Sequence, residues 1–394
     1  MDFISEKSRI FVSCADRCQP YLAEELEELG FETKEKGKAG VYIEGSMADC
    51  IWLNLNLRTA QRVYYSLASF TAQKPEDFYK EAKKVEWENY LDLKTPLKVV
   101  SNTYNREVNN TYYTNLVCKD AIMDRMKEIT GDRIETGKDV KGLLVYVFWF
   151  DDKADVYIDT SGERIDKHGY RKINYEAPLS EALAAAHLKA SKWKPNQHLV
   201  NPMCGSGTYA IEAALIATQR ANGLLRDDYG FMEVKGYDGK LYRDYKSRIK
   251  SEIQENQQIR IIASDIKREA IETAKRNAAT AGVQHLIEFY ICDVMDTPVP
   301  DGDGIIIMNA PYGLRVGEVK GLEELYARIG SFLKQKCAGK FGYLFTGNID
   351  LAKLVGLKPK RKLEFYNAQI DCRLLEYEMY SGTKRVFVKT DNSE

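Results

Sequence analysis

The sequence predicts an α/β protein of at least two domains, which ends in a doubly wound, Rossmann-like domain. The chain has 394 residues, well above the ~150 residues typical of one domain. From Pro178 onward, strand and helix signals alternate in the βαβ rhythm of a largely parallel sheet. Before that point, short strands and amphipathic helices follow one another in an order typical of small α+β units.

The first 70 residues have the pattern of a ferredoxin-like unit. An amphipathic helix stops at Gly30, and a glycine-containing turn separates the second and third strand signals. The signals follow the order βαββαβ, at Arg9–Cys14, Pro20–Leu29, Phe31–Lys36, Val41–Glu44, Ala48–Leu55 and Ala60–Phe70. We therefore predict an α+β ferredoxin-like unit over residues 1–70.

A second α+β unit is predicted over residues 71–166, and the doubly wound domain over residues 167–390. The second unit has helix signals at Phe78–Val85 and Leu116–Ile129, and strand signals at Leu97–Ser101, Leu143–Phe150 and Asp155–Asp159. The last domain opens with an alanine-rich helix, Pro178–Lys192, and closes with two adjacent strands near Lys362–Phe365 and Leu374–Tyr380. These two strands predict an antiparallel hairpin at the edge of the sheet.

The composition is that of an ordinary globular protein. Hydrophobic residues make up 44% and charged residues 29%, and the formal net charge of −1 means that any nucleic-acid surface must be a local basic patch. The eight cysteines form no CxxC pair, so we expect neither a metal site nor a disulfide framework. The polar N-terminus and the lack of a long apolar run predict a cytoplasmic protein without a membrane partner. No signal bears on the oligomeric state.

A glycine turn follows the first strand of the last domain. Leu199–Pro202 runs into Met203-Cys204-Gly205-Ser206-Gly207, and a helix opens at Thr208. Gly205 and Gly207 permit a tight turn and a close ligand approach, and the helix N-terminus favours an anion such as a carboxylate. Alone, the pattern fits a ligand loop and a ligand-free turn equally well.

Two acids end the next two strands. Asp265 could accept hydrogen bonds from ribose hydroxyls, or it could cap the helix near Arg268. In a dinucleotide site, ~20 residues separate the glycines from the acid. Asp265 lies much further from Gly207, so residues 219–258 are an insertion or extension. This spacing disfavours an NAD site. Asp293 could bind an adenine amino group, although a turn aspartate is the more common reading of that residue by itself.

The fourth strand decides between these alternatives. Ile305–Met308 is followed at once by Asn309-Ala310-Pro311-Tyr312-Gly313. The amide oxygen of Asn309 and a backbone carbonyl could accept hydrogen bonds from an exocyclic base amine, orient it and favour a more pyramidal nitrogen. Tyr312 offers a ring face on which an extruded base can stack. A simple Asx-Pro turn becomes improbable when four successive strands end in such residues on one sheet edge.

At these residues the chain resembles the THUMP-domain class I methyltransferases that act on the guanine 2-amino group of RNA, and among them the bacterial large-subunit ribosomal RNA group. The resemblance covers nearly the whole chain. Its most specific segment is Pro202–Thr208. The other similar segments are Leu57–Val63, Asp159–Gly162, Lys167–Arg171, Ala177–Glu181, Tyr366–Asn367 and Cys372–Leu374.

The resemblance implies transfer of a methyl group from S-adenosyl-L-methionine to a guanine 2-amino group in RNA, with large-subunit ribosomal RNA as the first candidate. It makes residues 71–166 a THUMP RNA-binding domain. The catalytic residues would be Asn309, Pro311 and Tyr312. The cofactor would be bound by Pro202, Cys204, Gly205, Ser206, Gly207, Thr208, Asp265, Ile266, Asp293, Val294 and Asn309.

Three positions depart from the family pattern. Asn201 stands where the family often has an acid, Ala310 where it usually has proline, and Ala368 where it usually has glycine. The first change bears on one polar contact to the cofactor amine, and the second leaves the backbone carbonyl in place but makes the loop less rigid.

The clearest local basic cluster is the run Lys358–Lys362, expected in a loop. Lys360, Arg361 and Lys362 are candidate RNA phosphate contacts, with a solvated surface as an equal alternative.

Three other functions compete with this reading. A transfer RNA target is the first, and a DNA adenine or cytosine amino-methyltransferase is the second, because Asn-x-Pro-Tyr serves that chemistry equally well. The N-terminal units argue against DNA. A non-catalytic RNA-binding assembly factor is the third, and the presence of Asn309, Pro311, Tyr312 and Asp265 argues against it.

Overall fold

The chain forms two compact units. A computed structural model describes residues 4–108, 110–132, 134, 141–173, 178–255, 258–313 and 321–380, so that Ala177 of the quoted family segment lies outside the described residues. Unit 1 comprises Met1–Gly169 and Gln219–Ile253, and unit 2 comprises Tyr170–Thr218 and Gln254–Glu394. The domain boundaries proposed from the sequence stay a prediction.

Unit 1 is built on one seven-stranded sheet that joins the two predicted N-terminal units. Its strands have the order β2-β3-β1-β4-β7-β6-β5. The elements are β1 Lys7–Cys14, α1 Gln19–Glu28, β2 Glu35–Gly37, β3 Gly40–Ser46, α2 Met47–Asn56, β4 Ala60–Thr71, α3 Pro75–Lys84, β5 Leu97–Tyr104, α4 Thr111–Thr130, β6 Leu143–Phe150 and β7 Lys153–Asp159. The antiparallel pairing of β4 with β7 makes the two halves one sheet.

Alternation along the strands of unit 1 separates a packed face from an aromatic face. Ile10 and Val12 of β1 are fully buried, as expected for one face of a half-buried strand. The ring of Phe11, between them, lies on the other face, 5.9 Å from that of Tyr64 on β4, which is 4.7 Å from that of Tyr146 on β6. A row of aromatic rings therefore crosses the sheet.

The segment inserted between the glycine turn and Asp265, Gln219–Ile253, belongs to unit 1. Its helix, α7 Lys240–Ser251, was not assigned from the sequence. The segment is held by backbone hydrogen bonds, such as that from Phe231 N to the Thr160 carbonyl at 2.9 Å. The ring of Tyr245 on α7 lies 5.2 Å from that of Trp52 on α2. These contacts explain why the glycine loop and Asp265 are so far apart in sequence.

Unit 2 contains the predicted doubly wound sheet. Its strand order is β10-β9-β8-β11-β12-β14-β13. The elements are α5 Glu181–Ala190, β8 His198–Pro202, α6 Thr208–Ala217, β9 Ile261–Asp265, α8 Arg268–Thr280, β10 Ile287–Ile291, β11 Gly304–Asn309, α9 Leu322–Lys336, β12 Phe341–Thr346, α10 Ile349–Lys353, β13 Arg361–Asn367 and β14 Ile370–Glu378. Strands β8 to β12 pair in parallel, and β13 and β14 form the predicted antiparallel hairpin.

The core of unit 2 lies where α9 packs on the central strands. Met308 of β11, Leu344 of β12 and Phe332 of α9 are fully buried and belong to one hydrophobic cluster. Such burial is the main favourable term for holding a helix on a sheet. Across the described part of both units, no helix combines the length and apolar character that a membrane span requires.

The hairpin between β13 and β14 turns on a strained residue. Asn367 pairs with Ile370, which leaves Ala368 and Gln369 in the turn. Ala368 has a φ of +53°, a left-handed conformation that costs an L-residue roughly 1–2 kcal/mol. The turn geometry thus accounts for the preference for glycine at this position.

Replacing Ala368 by glycine should therefore stabilise the chain by about 0.5–1 kcal/mol, because relief of strain outweighs the added entropy of the unfolded state. Equilibrium urea unfolding measures the change. Ala279→Gly, on the exposed side of α8, is the control and should cost about 1 kcal/mol. Equal losses in both variants would show that Ala368 carries no strain.

Candidate active site

The sequence-predicted site residues meet at one edge of the unit 2 sheet. Strands β10, β9, β8 and β11 are neighbours in that order and run in parallel. Three of them end at Pro202, Asp265 and Asn309, and Asp293 follows the end of β10 by two residues. The loops that carry the predicted cofactor and base contacts therefore all leave the sheet at its carboxyl edge.

The loop after β8 is compact and strained. Cys204 N donates to the Ser264 carbonyl at 2.9 Å, and Gly207 N donates to the Cys204 carbonyl at 2.8 Å. Met203, Gly205 and Gly207 have φ angles of +51°, +54° and +82°. A non-glycine residue in this region is held there by its surroundings, as is common where a loop is shaped for a ligand.

The two glycines of this loop have different reasons to be glycine. A Cβ at Gly205 would meet nothing within 4 Å, so that this position faces open space. A Cβ at Gly207 would lie 2.8 Å from the Cβ of Ala274 on α8. We expected that both positions are glycine because a ligand approaches them. The structure gives a different reason for Gly207, since α6 packs closely on α8 there.

The N-terminus of α6 has no side-chain cap, and a cation lies beside it. Its N-cap is Gly207, and within the part of the chain that the structure describes no capping side chain accepts a hydrogen bond from the first turn. Arg171 Nη2 donates to Thr208 Oγ1 at 2.9 Å. The side chain of Arg171 is 11% exposed, and its Nε has no described partner. The charge of Arg171 is matched by Glu181, whose Oε2 lies 3.5 Å from Nη1. The free N–H groups of the helix N-terminus favour an anion here.

The two acids are held differently. Asp265 accepts from Gly205 N through Oδ2 and from Lys267 N through Oδ1, both at 3.0 Å. It therefore links two strand ends, while Lys267 is the N-cap of α8. Asp293 accepts from Met295 N at 2.9 Å, as a turn aspartate does, and pairs with Arg328 of α9 at 2.5 Å. Both carboxylates keep lone pairs for further donors.

Two asparagine oxygens at neighbouring strand ends are unsatisfied. Asn201 on β8 donates through Nδ2 to the Ile307 carbonyl at 2.9 Å. Its Oδ1, like the Oδ1 of Asn309 on β11, is buried and accepts no hydrogen bond from any described residue. A buried acceptor without a donor costs about 1–3 kcal/mol. Two such atoms on adjacent strands need an explanation, and hydrogen-bond donors of a ligand would provide one.

The Pro311–Tyr312 segment is held by contacts from α9, from β13 and from the loop after β12. Tyr326 of α9 donates to the Pro311 carbonyl at 3.2 Å. Asn367 Nδ2 donates to the Tyr312 hydroxyl at 2.7 Å, and a Cβ on Gly347 would lie 3.2 Å from the Tyr312 ring. Ala310 is 1% exposed. Packing and hydrogen bonds thus fix this segment although the usual proline is absent.

A buried histidine lies behind this segment. His187 Nδ1 lies 2.6 Å from the Tyr209 hydroxyl, and its ring is 4.4 Å from that of Phe345 and 4.3 Å from that of Phe365. Burial lowers the pKa of His187 to about 3, so the ring is neutral at pH 7. Burial also raises the pKa of Tyr312, which keeps its hydroxyl protonated.

The basic run is placed away from these residues. Arg361 and Lys362 belong to β13, so that the expected loop is wrong for them. Lys360 Nζ pairs with Glu378 at 2.7 Å, and Arg361 Nε donates to Glu376 at 2.8 Å. Arg361 is level with Tyr343 of β12 and Ile307 of β11, and β14 and β12 lie between its strand and that of Asn309. Their contact with RNA stays a prediction.

Sequence reasoning assigned no role to Arg171, Arg328 or Asn367. Arg171 and Asn367 fell within segments that resemble the family, and that was the only signal for them. Their contacts join positions 37 and 55 residues apart, which no local pattern reports. Arg328 lies in the middle of an ordinary amphipathic helix.

The sequence profile of the RMKL-like methyltransferase domain matches residues 168–376, more than half of the chain. The chain belongs to this family. In the N-terminal part, the profile of the RlmL ferredoxin-like domain matches residues 9–64, and that of the THUMP domain matches residues 72–159.

Curated relatives agree with this membership. The ribosomal RNA large subunit methyltransferase K/L of Psychromonas ingrahamii is 33% identical over 378 residues, which are 94% of this chain and 50% of that protein. The protein slr0064 of Synechocystis, named provisionally as an RNA methyltransferase, is 30% identical over 94% of this chain and 96% of its own length. The chain thus spans about half the length of the K/L proteins it matches.

A solved structure agrees with the fold. SMU.472, described as a methyltransferase complexed with SAH, is 25% identical with a TM-score of 0.87, covering 96% of this chain and 100% of that one. The predicted family and the predicted fold class, a Rossmann-like methyltransferase domain preceded by ferredoxin-like and THUMP units, are confirmed.

The buried His187 should make the stability of the chain fall below pH 6.5. The unfolded chain takes up a proton near pH 6.5 that the folded chain refuses down to about pH 3. Stability from this group is complete above pH 6.5 and falls by about 1.4 kcal/mol per pH unit below it.

Urea unfolding at pH 7 and pH 5 should show a loss about 2 kcal/mol larger in the wild type than in His187→Gln. The other histidines are present in both proteins and cancel in the comparison. Equal losses in the two proteins would mean that His187 is protonated as readily in the folded chain as in the unfolded one.

Proposed function

We propose that the chain transfers a methyl group from S-adenosyl-L-methionine to the exocyclic 2-amino group of a guanine in RNA, with large-subunit ribosomal RNA as the substrate. The pair of unsatisfied amide oxygens, Asn201 Oδ1 and Asn309 Oδ1, carries the proposal. Two acceptors on adjacent strands suit a reaction in which the methyl donor and the methyl acceptor each bear an N–H group.

The residues around the first acceptor fit the cofactor. The open space at Gly205 leaves room beside the loop, and the uncapped start of α6 suits the methionine carboxylate. Asn201 Oδ1 can accept a hydrogen bond from the methionine ammonium. It can therefore take the place of the acid that the family often has at this position. Asp265 would accept hydrogen bonds from the ribose hydroxyls, and Asp293 would accept one from the adenine amine. The residues that follow them in sequence, the exposed Ile266 and the buried Val294, would lie beside the cofactor.

Bound S-adenosyl-L-methionine supplies an electrophilic methyl group on a sulfonium centre. The chain's own part is to present a weak nucleophile. Asn309 Oδ1 accepts a hydrogen bond from the target amine, which holds the nitrogen in place and opposes delocalisation of its lone pair into the base. The methylated amine is acidic and loses its proton to solvent, so that no general base is required.

One feature favours nitrogen over carbon as the acceptor. Methylation of a pyrimidine carbon needs a nucleophilic thiolate to activate the ring. The cysteine of the loop, Cys204, is buried, and burial together with Asp265 raises its pKa well above the usual value. Tyr312, held by Asn367, offers a neutral ring on which a flat base can stack.

RNA is the proposed partner because the THUMP match and the names of the K/L relatives point the same way. Transfer RNA remains the alternative substrate. A DNA amino-methyltransferase would use the same Asn309–Tyr312 segment, and the N-terminal matches argue against it. A cytoplasmic location stays a prediction that accompanies the RNA substrate.

Gly205→Ala should weaken S-adenosyl-L-methionine binding at least about 10-fold, because the new Cβ enters the space beside the loop and one lost contact of ~1.4 kcal/mol is tenfold. Isothermal titration calorimetry measures the affinity. Gly339→Ala is the control, since Gly339 also has a positive φ, +77°, and open space around it. If both variants bind the cofactor like the wild type, the loop is not the cofactor site.

Asn309→Ala should lower the rate of methyl transfer by about 10²–10³-fold, the loss typical of one preorganised polar contact. Cofactor affinity should be retained, and the free energy of unfolding should not fall, because the deleted oxygen has no partner to lose. Transfer of labelled methyl to RNA from a deletion strain measures the rate. A fully active Asn309→Ala enzyme of normal stability would refute the mechanism.

A further inference from the structure

The basic helix α7 is the strongest charged feature outside the site. Its twelve residues, Lys240–Ser251, include five basic residues and one acid, whereas the whole chain has a formal net charge of −1. The helix comes from the insertion in the methyltransferase sequence but belongs to unit 1, which also contains the THUMP domain. The proposed function assigns no role to α7.

The inward face of α7 is fully used in packing. Ile249 is 1% exposed. The centroid of the Tyr242 ring lies 6.1 Å from that of the Tyr229 ring and 5.9 Å from that of the Phe231 ring. Tyr245 meets Trp52 of α2. These residues recur at intervals of three and four, so that one side of the helix is anchored.

Two of the five cations are engaged by that anchoring. Lys246 Nζ pairs with Asp227 at 2.7 Å. Arg248 pairs with Glu252 at 3.1 Å, and its guanidinium lies 4.6 Å from the Trp52 ring. They stabilise the attachment of α7 to unit 1 and are not free to bind a partner.

The other three cations form an exposed stripe. Lys240, Arg243 and Lys250 are all exposed, and none has a carboxylate partner within the described part of the chain. Their spacing of three and seven residues, with Ser247 between them, puts them on one side of the helix. The stripe contrasts with Lys360 and Arg361, whose charges are matched by Glu378 and Glu376.

We propose that the Lys240–Arg243–Lys250 stripe binds the phosphate backbone of the RNA substrate. The inference rests on the proposed function, since it takes RNA as the substrate. Three uncompensated cations on a rigidly anchored helix complement a row of phosphates, and such contacts position the nucleic acid without reading its bases. The insertion thus adds a phosphate-binding surface to the unit that contains the THUMP domain.

The test uses the chain of 394 residues and a labelled in vitro transcript of large-subunit ribosomal RNA. Lys240→Gln/Arg243→Gln/Lys250→Gln keeps good helix formers on an exposed face. We expect RNA affinity to fall at least about 10-fold at moderate salt, and the slope of log affinity against log salt to become shallower by about 2–3, as expected for three lost phosphate contacts. Affinity for S-adenosyl-L-methionine should not change.

The matched control is Lys194→Gln/Lys334→Gln/Lys336→Gln. These lysines are also exposed, and the control removes the same charge from the chain. It should leave both the affinity for RNA and its salt slope within about twofold of the wild type, because only net charge is altered.

Three outcomes would overturn the assignment. One is an α7 triple variant that binds the transcript like the wild type, and another is an equal loss in both triples, which would reflect net charge alone. A third is an α7 variant with reduced affinity but an unchanged salt slope. Failure of the proposed function is distinct, since the wild type itself would then transfer no methyl group to any RNA.

Discussion

The parallel pairing of β8 with β9 and β11 is the constraint on which the site depends. It aligns Asn201 with Ala263 and Val200 with Ile306, so that the three strands end together. The hydrogen bond from Asn201 to the Ile307 carbonyl reinforces this register across the sheet. Because every loop leaves the same edge, the glycine turn, Asp265 and the Asn309 segment can act on one pair of ligands.

The site contains buried polar atoms without hydrogen-bond partners, which lower the stability of the fold. Asn201 Oδ1, Asn309 Oδ1 and Arg171 Nε are buried without partners among the described residues, and Met203 is held at a positive φ. Each carries a penalty of about 1–3 kcal/mol. The buried clusters of unit 2 and the paired hydroxyls of Tyr326 and Thr346, 2.8 Å apart, offset this penalty. Several residues of the site thus carry strain or an unsatisfied polar atom, as is expected where a structure serves function.

The sequence was informative where a residue's role follows from its place after a strand. Asn309 and Asp265 could be located because a buried strand ends at each and because parallel strands share an edge. The role of Asn367 could not be found, since its contact with Tyr312 depends on how the hairpin β13–β14 projects past β12. Likewise, the shared sheet of unit 1 rests on pairing of β4 with β7, about ninety residues later, for which no local pattern exists.

The central claim is that Asn309 Oδ1 receives the 2-amino group of a guanine. The most direct test supplies the enzyme with two versions of one RNA, containing guanosine or inosine, because inosine differs only in lacking that amino group. Labelled methyl from S-adenosyl-L-methionine should enter the guanosine RNA alone, and mass spectrometry of its nucleosides should find the methyl on the 2-amino nitrogen. Equal labelling of the inosine RNA, or a methyl group on adenine, carbon or ribose, would contradict the account.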